Sequence, residues 1–137
     1  MEIHSAFQNL NWLAILVAAV SAFALGGLWY SALFAKSWAK ETGITNESAS
    51  RKNMGRTFGL SFVLSLVASF FLALFIGNDK GAAFGAMAGF MAGIGWVFTF
   101  IGIIYLFESK SLALFLINAC YSVLSLTIMG LIIGAWQ

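Results

Sequence analysis

The sequence predicts an all-α membrane protein, a four-transmembrane-helix bundle, from its composition, its uncharged runs and the placement of its charges. Of 137 residues, 61% are hydrophobic and 9% charged, whereas an ordinary soluble domain carries roughly 25% charged residues. A soluble fold of this size has to wet its surface with polar groups, and here there are too few. Uncharged runs cover residues 12–34, 57–78, 81–107 and 111–137. The first rises about 35 Å as a helix, against about 30 Å for a hydrocarbon core. All seven Lys and Arg residues flank these runs instead of interrupting them. Strands end after about 4 to 8 residues and would alternate in polarity.

The predicted spans cover about residues 11–35, 47–77, 81–107 and 111–136, in one transmembrane domain over 1–137. Glu2 and His4 precede the first span without a Lys or Arg, so a cleaved signal peptide is not expected. The linker over 36–56 holds Gly43, which stops one helix, and Thr45 or Asn46, either of which can cap the next near Glu47. The cluster from Gly77 to Gly81 and the short link at Glu108 turn the chain sharply, so the second, third and fourth spans are expected as consecutive antiparallel neighbours.

Charge sets the expected orientation. Lys36, Lys40, Arg51, Lys52 and Arg56 lie in the first linker and Lys110 in the last, against Lys80 on the side of both termini. Positive residues stay inside, which puts linkers 36–56 and 108–110 in the cytoplasm and both termini outside. The five cations of the first linker either express this rule alone or form a patch for anionic lipid headgroups. A sequence pI near 8.9 does not indicate nucleic acid, because the cations sit at span ends and not on one face.

The third span carries small residues at Gly81, Gly85, Ala88, Ala92, Gly95, Thr99 and Gly102, spaced as a heptad seam, and Ala82, Ala86, Gly89 and Gly93 form a second small face. Close backbone approach at small residues is a principal source of packing in lipid. The third span is therefore expected at the centre of the bundle. The glycines could instead line a pore or let the helix bend.

Ser61, Ser65 and Ser69 follow one face of the second span, and Ser111, Asn118, Ser122 and Ser125 one face of the fourth. These side chains, with Thr99, are expected to face the bundle, either as interhelical hydrogen bonds or as a polar path. Asn118 is the most polar side chain at depth, and its amide needs partners. Trp12, Trp29, Tyr30, Trp38, Tyr105 and Trp136 fall near span ends, as interfacial anchors do. Cys120, the lone cysteine, excludes an intrachain disulfide and is expected as a packed thiol.

No Asp, Glu, Lys, Arg or His lies mid-span, which disfavours a proton-coupled exporter. No metal constellation occurs, and the serines lack an evident base. No enzyme, metal or cofactor is expected.

With these residues in view, NWLAILVAAVSAFALGGLWYSALFAKSW, from Asn11 to Trp38, resembles the small membrane-protein family known as domain of unknown function 1761. YLFESKSLALFLINACYSVLSLTIMGLIIGAW, from Tyr105 to Trp136, resembles its last hairpin. The resemblance implies a four-helix, mostly prokaryotic protein without an assigned activity, and hence a bacterial inner membrane. It marks Asn11, Trp12, Gly26, Trp29, Tyr30, Lys36, Trp38, Glu108 and Tyr121 as a signature. Sequences of that family often have proline at the position of Ala32; this chain has none, which puts a proline kink there in doubt. The leading expectation for function is a homo-oligomeric permeation or transport module for a small solute or ion. The alternative is a structural or accessory protein that docks a partner or lipid.

Overall fold

A computed structural model describes residues 8–43 and 54–137. The described residues are almost entirely helical. Helix α1 runs from Trp12 to Leu33, α2 from Ala35 to Thr42, α3 from Met54 to Ile76, α4 from Gly81 to Phe107 and α5 from Leu112 to Ala135. Four of them, α1, α3, α4 and α5, are long and apolar enough to cross a membrane. Thr45, Asn46, Glu47, Arg51 and Lys52, with the expected start of the second span, lie outside the described residues, as do Glu2 and His4.

Local chemistry sets the helix ends. The Asn11 Oδ1 accepts from Ala14 N–H at 3.1 Å and caps α1, and Ser111 Oγ does the same for Leu114 N–H at the start of α5. Gly43, at φ 75°, closes α2, as its position in the linker leads one to expect. After α4, Ser109 takes φ 56°, Lys110 N–H donates to Tyr105 C=O at 2.9 Å and Ser109 N–H to Leu106 C=O at 3.3 Å. This is a Schellman closure without glycine.

Two stretches are wound as π-helix, Leu28–Leu33 in α1 and Gly93–Phe98 in α4. The first opens into a break at Phe34, with φ −125° and ψ 18°. The end of α1 thus departs from α-helix without a proline.

The core forms where three helices meet. Ile15, Ala18 and Ala22 of α1 pack with Leu72, Ala73 and Ile76 of α3 and with Met129 and Ile133 of α5. Ser69 of α3, fully buried, donates to the Ile15 carbonyl at 2.8 Å and ties α3 to α1. α4 stands on the opposite side of α5, joined backbone to backbone. A Cβ on Gly85 would overlap the Gly130 carbonyl, one on Gly89 the Leu126 carbonyl, and one on Gly93 would lie 2.9 Å from Val123 Cα. Gly134 meets Gly81, and a Cβ on Gly102 would touch the Phe115 ring at 3.3 Å.

Several expectations are corrected here. The centre is α5, not the third span: α5 packs on both α1 and α4 and also meets α3, whereas α4 and α3 meet only narrowly. Small side chains allow one close approach but bury little area, so a helix lined with them serves a single neighbour. α5 presents Met129 and Ile133 to one side and Gly130 and Gly134 to the other. The seam also departs from the heptad. Gly85, Gly89 and Gly93 are buried at intervals of four, while Gly95 has open space around it and Thr99 is exposed. The wider π turn over 93–98 rotates the last part of α4, and Gly102 returns to α5. Ala88 and Ala92 are half-buried beside the seam. Cys120 is exposed on the outer side of α5, not packed.

Candidate functional site

Polar side chains gather where the π-wound end of α1 crosses α5. Tyr30 O–H donates to Asn118 Oδ1 at 2.5 Å, and Asn118 Nδ2 donates to Tyr105 Oη at 2.6 Å. One amide thus bridges α1, α5 and α4. Asn118 lies seven residues from the Ser111 cap, about 10 Å along the helix axis. Beside this clamp, Trp29 Nε1 donates to the Ile117 carbonyl at 2.9 Å and Tyr121 O–H to the Ala22 carbonyl at 2.8 Å. Each bond crosses from α1 to α5. The rings pack as well: Tyr30 lies edge-on to Tyr121 at 5.3 Å and to Trp38 at 6.1 Å. An amide desolvated among apolar helices is costly unless its donor and acceptor are both engaged, and at Asn118 both are.

Next to the clamp a groove of about 550 Å³ opens between α1 and α3. Its hydroxyl-bearing wall is Tyr30, Ser31, Ser61, Ser65 and Tyr121, and Phe23 and Phe58 stack edge-on at 5.7 Å on its apolar side. Gly26 forms part of the wall; a Cβ there would lie 3.1 Å from Tyr121 Oη. Ser65 and Ser31 spend their protons on the carbonyls of Ser61 and Gly27, which leaves their oxygens free to accept. None of the described residues that line the groove is charged.

The structure does not gather the polar-path candidates into one channel. Ser61 and Ser65 line the groove, Asn118 sits in the tyrosine clamp, and Ser122 bonds back to the Asn118 carbonyl at 3.1 Å. Ser69 lies between α1 and α3, and Ser125 Oγ is buried without a hydrogen-bond partner. Thr99 is on the outside, bonded to its own helix at the Gly95 and Trp96 carbonyls.

The signature residues have a common geometry. Asn11 caps α1 and also donates from Nδ2 to the Trp136 carbonyl at 2.9 Å, while Trp12 stacks on Phe70 of α3 at 5.7 Å. Gly26, Trp29, Tyr30 and Tyr121 form the α1–α5 contact described above, Trp38 extends it from α2, Glu108 ends α4, and Lys36 is exposed. Sequence reasoning assigned the aromatic residues to an interfacial belt and so missed that Tyr30 and Tyr105 are the partners Asn118 requires. The signal that could have found them was the unmet amide itself. Among the described residues no group of three or more His, Cys, Asp or Glu could hold a metal ion.

These features define an all-helical protein of four apolar helices compatible with membrane insertion. The profile of a family described as Protein of unknown function (DUF1761) matches residues 13–134, nearly the whole chain, and the chain belongs to that family. No curated protein sequence and no solved structure matches it.

Proposed function

We propose that the chain is an integral membrane protein, not an enzyme, that binds a small uncharged solute in the groove between α1 and α3 and passes it across the bilayer as a homo-oligomer. The observation that carries this is the groove itself: about 550 Å³, walled by hydroxyls and aromatic rings, with no charged side chain among the described residues that line it. Hydroxyl oxygens in an apolar wall recognise a molecule with hydrogen-bonding groups. A bare ion would lose its hydration there without a compensating charge, so a neutral solute fits better.

The bilayer setting is supported by an inverted surface, with Phe75, Leu106 and Phe107 each more than three-quarters exposed. The contacts of Gly85 with Gly130, Gly89 with Leu126 and Gly93 with Val123 descend along α5 as they ascend along α4, which supports an antiparallel up-and-down bundle. Six Lys and Arg residues in the two linkers support both termini outside, in a bacterial inner membrane. Exposed Lys36, Lys40 and Arg56 suit contact with lipid headgroups. α4 packs on one main neighbour, leaving surface for a second copy.

An accessory or structural role has its own support in the clamp, because the Asn118 amide oxygen and one of its N–H groups are bonded to tyrosines without any solute. Uptake by proteoliposomes from a panel of polyols, amides and ions distinguishes the two. Selective uptake of an uncharged solute, abolished by filling the groove with Ser61→Leu and Ser65→Leu, is the expected result. No uptake of any solute, or uptake indifferent to the filled groove, refutes the transport role.

A further inference from the structure

A second cavity, of about 360 Å³, lies at the other end of the bundle, where α1 begins, α5 ends and the α3–α4 turn crosses between them. The geometry points to a binding pocket here for a small organic ammonium compound, with the Asp79 carboxylate receiving its N–H groups and a short apolar body resting on Leu10, Ala73 and Ile133. This is independent of the groove and of transport.

The walls are held in place by bonds the protein makes with itself. Asn11 uses its oxygen on Ala14 N–H and its amide N–H on the Trp136 carbonyl. Gln137 accepts from Lys80 N–H at 2.9 Å through Oε1 and donates to the Gly77 carbonyl through Nε2. These two amides are therefore committed to the frame, and the cavity is preformed.

The groups that face the cavity beyond the frame are chemically specific. Among the described lining residues Asp79 is the one with a charged side chain, set among the neutral amides of Gln8, Asn9 and Asn78. The adjacent Lys80 does not supply the counter-charge: its Nζ lies over the Phe84 ring, 5.5 Å from the centroid. The carboxylate and amides are exposed at the cavity mouth, where their oxygens accept from any donor that enters, and a hydrogen bond to an ionised group is roughly twice as strong as one between neutral groups. A divalent ion such as Mg²⁺ keeps several waters and takes one or two carboxylates, so it would make no use of the apolar floor. One carboxylate above a buried apolar floor suits a monovalent cation with a carbon body.

Titration calorimetry on the full chain in nanodiscs tests this with n-butylammonium, n-butanol and Mg²⁺ as probes. Saturable binding of butylammonium, with butanol and Mg²⁺ each about tenfold weaker or worse and Asp79→Asn lowering the amine affinity by about tenfold, is the expected result. Asparagine tolerates the left-handed backbone at this position, φ 60°, so the variant keeps the turn. Asn78→Ala, expected to weaken binding by a smaller factor, is the second variant should Asp79→Asn fail to fold. No saturable amine binding, equal binding of butanol or Mg²⁺, or an affinity unchanged in the folded variants overturns the assignment.

Discussion

Replacing the glycines of α4 one at a time by alanine separates packing from helix propensity. In a helix interior, alanine is favoured over glycine by about 1 kcal/mol. At Gly95, where nothing lies within 4 Å of an added Cβ, that gain stands unopposed. At Gly93 the new Cβ lies 2.9 Å from Val123 Cα, short of the 3.4 Å at which ordinary contact begins. Val123 Cα is main chain and has no rotamer to move to, so the helices part by about half an ångström, at the low end of the roughly 1–3 kcal/mol typical of overpacking, which cancels the gain. At Gly85 and Gly89 the Cβ falls on a main-chain carbonyl oxygen, which has no rotamer to move to. Both backbones have to part by on the order of 1.5 Å, and the rigid helix carries the neighbouring contacts with it. Overpacking of this kind costs typically 1–3 kcal/mol, and here the upper end applies because several contacts open together. After the propensity gain, a net loss of about 2 kcal/mol remains, or roughly 5–10 °C in melting temperature. Melting in detergent, followed by near-ultraviolet circular dichroism, should rank Gly95→Ala most stable, Gly93→Ala near the parent, and Gly85→Ala and Gly89→Ala least stable. Equal stability of Gly89→Ala and Gly95→Ala would refute the seam.

Tyr30→Phe removes the donor to Asn118 Oδ1 and should cost about 0.5–1.5 kcal/mol in the same melts. Asn118→Leu strands two tyrosine hydroxyls and should cost roughly 1–3 kcal/mol; a smaller loss than for Tyr30→Phe would show that the clamp does not hold the helices. Ser69→Ala deletes the α3–α1 bond and should cost about 0.6 kcal/mol, the average for such bonds between membrane helices. For orientation, Cys120→Ser removes the one exposed thiol. A cysteine then placed at Ser37 should react with an impermeant maleimide from the cytoplasmic side and one at Asp79 from outside, and the reverse pattern contradicts the proposed topology.

The four long helices were legible because a span announces itself locally, through an uncharged run and the turn residues beside it. Gly43, the Gly77–Gly81 turn and the Glu108 link each end a helix by backbone chemistry that needs no distant partner. The packing was legible only in part. Gly81, Gly85 and Gly102 lie on the seam where the small-residue spacing puts them, but Gly95 and Thr99 do not. A helical wheel assumes a constant turn, and the π-wound Gly93–Phe98 breaks that assumption. Nor does periodicity say which neighbour a face meets, so the helix richest in glycine looked central when it serves chiefly α5. The clamp was legible as a need but not as an answer. Asn118 and Tyr30 are separated by 88 residues, and no local pattern marks that pairing.

The position of α5 has a consequence for biosynthesis. α1 and α3 leave the ribosome first, yet Met129 and Ile133, which complete their shared core, belong to the last helix made. Until α5 arrives, the two early helices hold one another through the Trp12–Phe70 and Phe23–Phe58 ring contacts and the Ser69 bond, with one side of their core still open. α4 and α5, joined by a four-residue turn and a glycine seam, can zip together as they emerge and then close on the waiting pair. A chain interrupted before α5 has an α1–α3 pair with an open core and an α4 without its main partner, so the final helix is the step at which an incomplete molecule is exposed to proteolysis or a complete one is sealed against it.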